Sequence, residues 1–305
     1  MKFIKGLLAC LLALGLSACA SNDVKEPIKV LAPLGAPSVS LLGLYGDENV
    51  TIDTVDGASV LSAELTKEDS EYDMIVAPIN LGATMIEKGK SDYLLDSVVT
   101  WGNLYLVGSD VNALHEEGMF AAFGEKAVPQ KVLMASMNLS EVTPAITYFA
   151  SVNEVQQQLL SGKASVALMA EPAATATIAK AKEKGISLSV LKDLQKEYQM
   201  KHNTPTYGYP QAAIFVKKDA VDKVAPYLET AKTFVNDTAV HEEGAIAKAV
   251  ETATPAKLGV PNAQIIEKTW KRQNINFVKA NTVKDDINAF LKQFNIVLSD
   301  EGYTK

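Results

Sequence analysis

From residue 28 onward, apolar positions alternate between two periods, every second residue and every third or fourth, in a repeating order. Residues 28–32 (Ile-Lys-Val-Leu-Ala) form a short β-rich run stopped by Pro33, Gly35 and Pro37, and the spacing then predicts a helix over 38–45 with Pro37 at its first position. Strands over 50–55 and 72–77 and helices over 59–67 and 81–88 follow. Three strand, loop, helix units in succession predict a parallel sheet wrapped by right-handed crossovers. Residues 96–109 break the rhythm: one long β-rich stretch runs through Trp101, Gly102 and Asn103, long enough to leave one lobe and enter another. The alternation then restarts, with strands predicted over 119–124, 145–149, 165–169 and 186–191 and helices over 129–137, 151–160, 171–182 and 194–202. Ser151-Val152-Asn153-Glu154 is a capping box at the start of one of these helices. After a loop containing Tyr207-Gly208-Tyr209, residues 211–216 form a β-run positioned to cross back. The remainder reads as helical cladding, with helices over 219–237, 241–252, 263–272 and 283–294 and one strand over 275–278.

Ahead of this pattern stands a different one. Lys2 and Lys5 precede an apolar run from Gly6 to Leu16 that is too short to span a bilayer as a helix, followed by Ser17, Ala18 and Cys19. A basic start, a short apolar core and small residues make a secretory leader over 1–18. Ending in Cys, it resembles a bacterial lipoprotein signal, which implies diacylation of Cys19 as the first mature residue. Two acyl chains bury enough CH₂ groups for stable anchoring, so the expected location is the extracytoplasmic face of the cell membrane, behind a polar tether over 19–27.

About 287 residues remain after such cleavage. That suits two lobes better than one core. The only cysteines are Cys10 and Cys19, which leaves no thiol in the body of the chain for a disulfide, a nucleophile or a metal. Loss of Lys2 and Lys5 takes the net charge from −7 to −9, with no basic stripe, so nucleic acid is not an expected partner. Among 29 basic residues one is arginine, Arg272. A ligand site using a guanidinium fork has Arg272 or nothing; its neighbours Trp270, Lys271 and Gln273 suggest a surface cation. His115, His202 and His241 lie apart in polar contexts and read as surface residues. The sequence has no HExxH, Walker loop, GxSxG or metal-ligand cluster, and no cofactor is expected.

The runs Phe123-Gly124-Glu125-Lys126-Ala127-Val128-Pro129, Leu159-Leu160-Ser161-Gly162-Lys163 through Glu171-Pro172, and Tyr209-Pro210-Gln211-Ala212-Ala213 resemble the second lobe of ABC-importer substrate-binding lipoproteins of the nitrate, sulfonate and thiamine-precursor type. The resemblance covers nearly all of the chain after the leader. It implies an α/β, periplasmic-binding-protein-like fold of type II, with two doubly wound lobes joined by crossing β-strands: lobe 1 over 28–108 and 214–305, lobe 2 over 109–213. It also implies a small-molecule ligand, a permease and its ATPase as partners, a monomer and no enzymatic activity. Related scaffolds that act as enzymes use a cysteine-rich motif this chain lacks; a sensing or adhesion receptor is a further alternative.

In open α/β lobes ligands sit at the carboxyl ends of the parallel strands. That places Gly35, Ala36, Pro37 and Ser38 at a candidate site, or in a plain turn. Asn80 is a candidate ligand contact or an N-cap. Trp101 stacks on a flat ligand or packs between the lobes. Gly124, Ala127, Val128 and Pro129 offer a helix N-terminus. Glu171 caps the following helix or accepts a ligand N–H. Tyr207 and Tyr209 form an aromatic wall or a packed turn. Scarce arginine beside these aromatics favours a flat heterocycle, such as a thiamine precursor or nucleobase, over a sulfonate or nitrate.

Overall fold

The computed structural model describes residues 26–305, so the expected leader, Cys19 and the tether up to residue 25 lie outside the described residues. The chain begins with β1 (Ile28–Pro33), α1 (Ala36–Val39), β2 (Val50–Val55), α2 (Ala58–Thr66), β3 (Met74–Pro78), α3 (Ile79–Glu87) and β4 (Tyr93–Thr100). It continues with β5 (Leu104–Gly108), β6 (Met119–Phe123), α4 (Val128–Ser136), β7 (Ala145–Phe149), α5 (Val152–Leu160), β8 (Val166–Ala170), α6 (Ala173–Glu183), β9 (Ser189–Asp193) and α7 (Leu194–His202). The last part holds β10 (Ala212–Lys217), α8 (Val221–Thr233), a π turn over Phe234–Thr238, α9 (Ala239–His241), α10 (Ala245–Ala253), α11 (Pro255–Leu258), α12 (Ala263–Gln273), β11 (Ile275–Lys279) and α13 (Lys284–Leu291). The helix expected over 38–45 is the four-residue α1 plus a 3₁₀ turn over Leu42–Leu44.

The strands form two sheets, one ordered β11-β4-β10-β3-β1-β2 and one ordered β7-β6-β8-β5-β9. Both are mixed. β1 pairs parallel with β2 and β3, and β6 parallel with β7 and β8. β10 is antiparallel to β3 and β4, and β5 to β8 and β9. β11 is antiparallel to β4, and of the strands that break the parallel pattern, β5 and β10 each follow a passage from the other sheet.

The long β-rich stretch expected over 96–109 is not one strand. It breaks at Trp101, Gly102 and Asn103, so β4 ends in the first sheet and β5 opens in the second. The chain thus changes sheets ahead of residue 104 and returns ahead of Ala212, where the expected lobe boundaries stood after 108 and after 213. The break comes from contacts distant in sequence. The Trp101 carbonyl accepts from the Tyr209 N–H (3.1 Å) and Asn274 Nδ2 (2.7 Å), which takes it off the sheet ladder. Gly102 follows at φ 92°, where a Cβ would stand 2.6 Å from the Tyr209 ring.

Period-two alternation divides the core. Ile75, Ala77, Ala213 and Phe215 enter one apolar cluster, while Met74, Val76, Ile214 and Val216 enter a second that is closed by α8, α10 and α12 through Val224, Val250 and Ile266. On β8, Val166 and Leu168 join the first cluster, and Ala167 and Met169 join a third with Val155 and Leu159 of α5. The first cluster is shared by both sheets and includes Trp101, Leu104 and Tyr209 at the crossings.

Candidate functional site

The carboxyl ends of β1 and β3 in one sheet, and of β8 in the other, lie beside the two places where the chain passes between sheets. Leu104, the first residue of β5, pairs with Ala170 at the end of β8, and Ala212 at the start of β10 pairs with Pro78 at the end of β3. Asp193 and Gln195 pin this junction from the second sheet. Asp193 Oδ1 caps α7 by accepting the N–H groups of Gln195 and Lys196, and it also accepts from Gln195 Nε2 (3.0 Å). The fully buried Gln195 then offers Oε1 to the Leu104 N–H (2.8 Å) and the Tyr209 hydroxyl (3.3 Å).

The structure assigns most of the expected aromatics to packing. Trp101 is 2% exposed and its indole N–H donates to the Asn276 carbonyl (3.0 Å), so its only side-chain donor is engaged by β11. Tyr209 is fully buried, its ring stacked on Phe290 at 5.5 Å, and burial holds its phenol well above the usual range. Tyr207 is the exposed member, with its hydroxyl donating to Asp193 Oδ2 (2.6 Å). Partial desolvation, then that hydrogen bond, raise its pKa.

The loop after β1 is tied to α11. The Gly35 N–H donates to the Leu258 carbonyl (2.8 Å), and the Ser38 hydroxyl faces both that carbonyl (3.1 Å) and that of Gly35 (2.9 Å). Ala36 and Pro37 open α1, and Ala36 and Ser38 are buried. Asn80 does not cap α3; Pro78 occupies that position and Asn80 sits in the first turn, its Oδ1 buried without a partner. Adjacent to it, the Ile79 N–H donates to the Gln211 carbonyl, and Gln211 Oε1 is likewise buried and unpartnered. At the end of β6, Gly124 lies at φ 71° with its carbonyl accepting the Ala127 N–H (3.1 Å), and Ala127, Val128 and Pro129 start α4. The hydrogen bonds of that segment stay local: the Lys126 N–H is accepted by Gln130 Oε1 (2.6 Å).

Glu171 takes the capping role. Its carboxylate accepts the Thr175 N–H (3.1 Å) and hydroxyl (2.9 Å), while its backbone exchanges bonds with Asn103 at the first crossing. Its side chain is 0% exposed and forms an ion pair with Arg272 Nη2. Arg272, expected as a plain surface cation, therefore reaches across from α12 to the end of β8. Its guanidinium lies 4.8 Å from the centre of the Tyr105 ring, and the Tyr105 hydroxyl donates to the Arg272 carbonyl (2.8 Å). Burial, the largest influence, pushes the Tyr105 phenol up to about 12, so it remains a donor at neutral pH. Sequence reading placed Asn103 in the crossing stretch without giving it a contact, and missed Gln195 and Asn274. The four-residue step from Glu171 to Thr175, with the sole arginine elsewhere in the chain, is the signal that was present.

His115, His202 and His241 are exposed, and no group of three metal-ligating side chains occurs among the described residues. A cavity of about 820 Å³ opens away from the junction, between α9, α10 and α12, and approaches it only at Asn274, Ile275 and Asn276.

No family model and no curated protein sequence matches the chain. Solved structures do. An ABC transporter from Parabacteroides distasonis is similar at 20% identity and a TM-score of 0.76, over 92% of this chain and 99% of that one. The periplasmic aliphatic sulphonate binding protein SsuA from Escherichia coli is similar at 12% identity and a TM-score of 0.59, over 92% of each. A Candida albicans gene product described as having the generic periplasmic binding protein structural fold is similar at 14% identity and a TM-score of 0.53, over 90% of this chain and 92% of that one. Two mixed sheets with flanking helices, connected by two passages, give this chain the periplasmic binding protein fold.

Proposed function

We propose that this chain is the solute-binding component of an ABC importer, holding a small molecule at the junction of its two sheets and closing its two lobes by hinge motion about the crossings at 101–103 and 203–211. The observation that supports the reading best is topological: β-strand carboxyl ends from both sheets converge beside both passages, in a fold similar over 92% of the chain to an ABC transporter protein. A ligand that touches both lobes at once stabilises the closed arrangement by its differential affinity for it. The favoured ligand is an uncharged heterocycle such as a thiamine precursor or nucleobase, with a sulfonate or nitrate-like anion as the alternative. The support for an uncharged ligand is the pairing of Arg272 with Glu171 and the amide oxygens of Asn80 and Gln211, not an aromatic wall of Trp101 and Tyr209. On this reading Cys19 carries the lipid, the protein works as a monomer at the outer face of the membrane, and a permease and its ATPase receive it. No helix among the described residues is long and apolar enough to cross a membrane.

Calorimetric titration of the purified protein against thiamine precursors, nucleobases, sulfonates and nitrate, beside a thermal-shift screen with cell extract, tests the reading. One compound is expected to bind and raise the melting temperature. Silence across the panel and the extract contradicts it. Cys19→Ala is expected to release the protein from the membrane fraction.

A further inference from the structure

Arg272 is the only arginine in the chain, and it is held by groups of the opposite sheet. It lies in the last turn of α12, which packs on α10 and leads into β11 of the first sheet. All three of its described partners belong to the second: the Glu171 carboxylate after β8, and the ring and hydroxyl of Tyr105 on β5. Glu171 is the buried half of the pair; the arginine side chain as a whole is 39% exposed, although the Nη2 atom that meets the carboxylate is itself buried.

We propose that the Arg272–Glu171 pair is a specificity-determining clasp between the sheets, which commits the one guanidinium to the protein's own carboxylate and so disfavours anionic ligands. The inference deepens the reading of the chain as a solute-binding protein and rests on it. An anion that engages Arg272 approaches Glu171, a carboxylate that cannot move into water without giving up Thr175 and the cap of α6. Like charges at that separation repel strongly where burial lowers the dielectric. If the anion displaces Glu171 from Arg272, a buried carboxylate loses its counter-charge, which is the costly way to break such a pair. An uncharged ligand imposes neither penalty and leaves the clasp closed. Lysine in place of Arg272 would not substitute, because a compact ammonium lacks the planar face that lies over Tyr105.

The probe is methanesulfonate, titrated calorimetrically into the full-length protein and its variants. Wild type is expected to give no saturable binding into the millimolar range. In Glu171→Gln the amide oxygen still accepts from Thr175, so α6 keeps its cap, and the freed guanidinium is expected to bind methanesulfonate at least tenfold tighter than wild type. The double variant Glu171→Gln with Arg272→Gln is expected to lose that gain. Submillimolar binding by wild type overturns the proposal by itself, whatever the variants do. Equal affinity in wild type and a folded Glu171→Gln overturns it too, as does a gain that survives in the double variant. Failure of the clasp alone leaves wild type still taking up a compound from the panel or extract, whereas failure of the binding-protein reading leaves wild type silent to all of them.

Discussion

Trp101 illustrates how a single side chain decides between ligand contact and structural support. It heads the largest fully buried side chains and sits in the cluster shared by both sheets; its indole and backbone N–H groups donate to the Asn276 and Asn274 carbonyls, and its own carbonyl accepts from Tyr209 and Asn274. A ring that faced a ligand would leave the fold mostly intact when truncated. One packed this way leaves a cavity. Trp101→Ala is expected to lower stability by about 3–5 kcal/mol, read from urea unfolding midpoints. Retained stability with lost ligand affinity would return the ring to the binding surface. Gly208 lies at the same spot at φ 92°, where a Cβ would meet the Trp101 carbonyl at 1.9 Å. The Tyr-Gly-Tyr loop is thus a close backbone approach as much as a chemical surface. Sequence alone named Trp101, Glu171, Tyr207 and Tyr209, which lie around the crossings. It did not assign their roles, because burial of Tyr209 depends on Phe290, and the use of Glu171 on Arg272, each about 80 to 100 residues away.

Individual elements were legible where local chemistry suffices. Met74–Pro78 reads as a strand because alternate residues enter cores on both faces, so the whole run is apolar. The start of α5 is legible because Ser151 and Glu154 carry their own cap: the Ser151 hydroxyl accepts the Glu154 N–H (3.3 Å), and Glu154 Oε2 accepts from Ala150, one residue ahead of the expected partner. Ser151→Ala is expected to cost about 1 kcal/mol, and Ser151→Asp close to nothing, in paired urea titrations. An equal loss in both variants would mean that the hydroxyl, not N-capping, matters there. The division of 96–109 into two strands was illegible for the converse reason. Its residues outside Gly102 suit a strand, and it is interrupted by the positive φ of Gly102 together with the bonds from Tyr209 and Asn274.

At the scale of the molecule, the two sheets share one apolar cluster, and that cluster is rich in phenols. Tyr93 and Tyr303 enter it from the first sheet and Tyr198 from α7, and burial pushes each up to about 12; Tyr209 is shifted in the same direction. A phenol whose pKa is higher folded than unfolded binds its proton more tightly in the native state. Its contribution to stability is complete below the unfolded value near 10 and is lost as pH rises toward about 12. Because these groups occupy the core common to both sheets, their ionisation weakens the molecule as a unit. Urea midpoints are therefore expected to hold through pH 9 and fall steeply above pH 10, with tryptophan fluorescence and far-ultraviolet circular dichroism reporting a single coincident transition. Tyr198→Phe, which removes one of these phenols, should blunt the alkaline slope. Two separated transitions would mean that each sheet keeps a core of its own and that the shared cluster does not couple them, while a slope unchanged by Tyr198→Phe would remove that phenol from the alkaline transition.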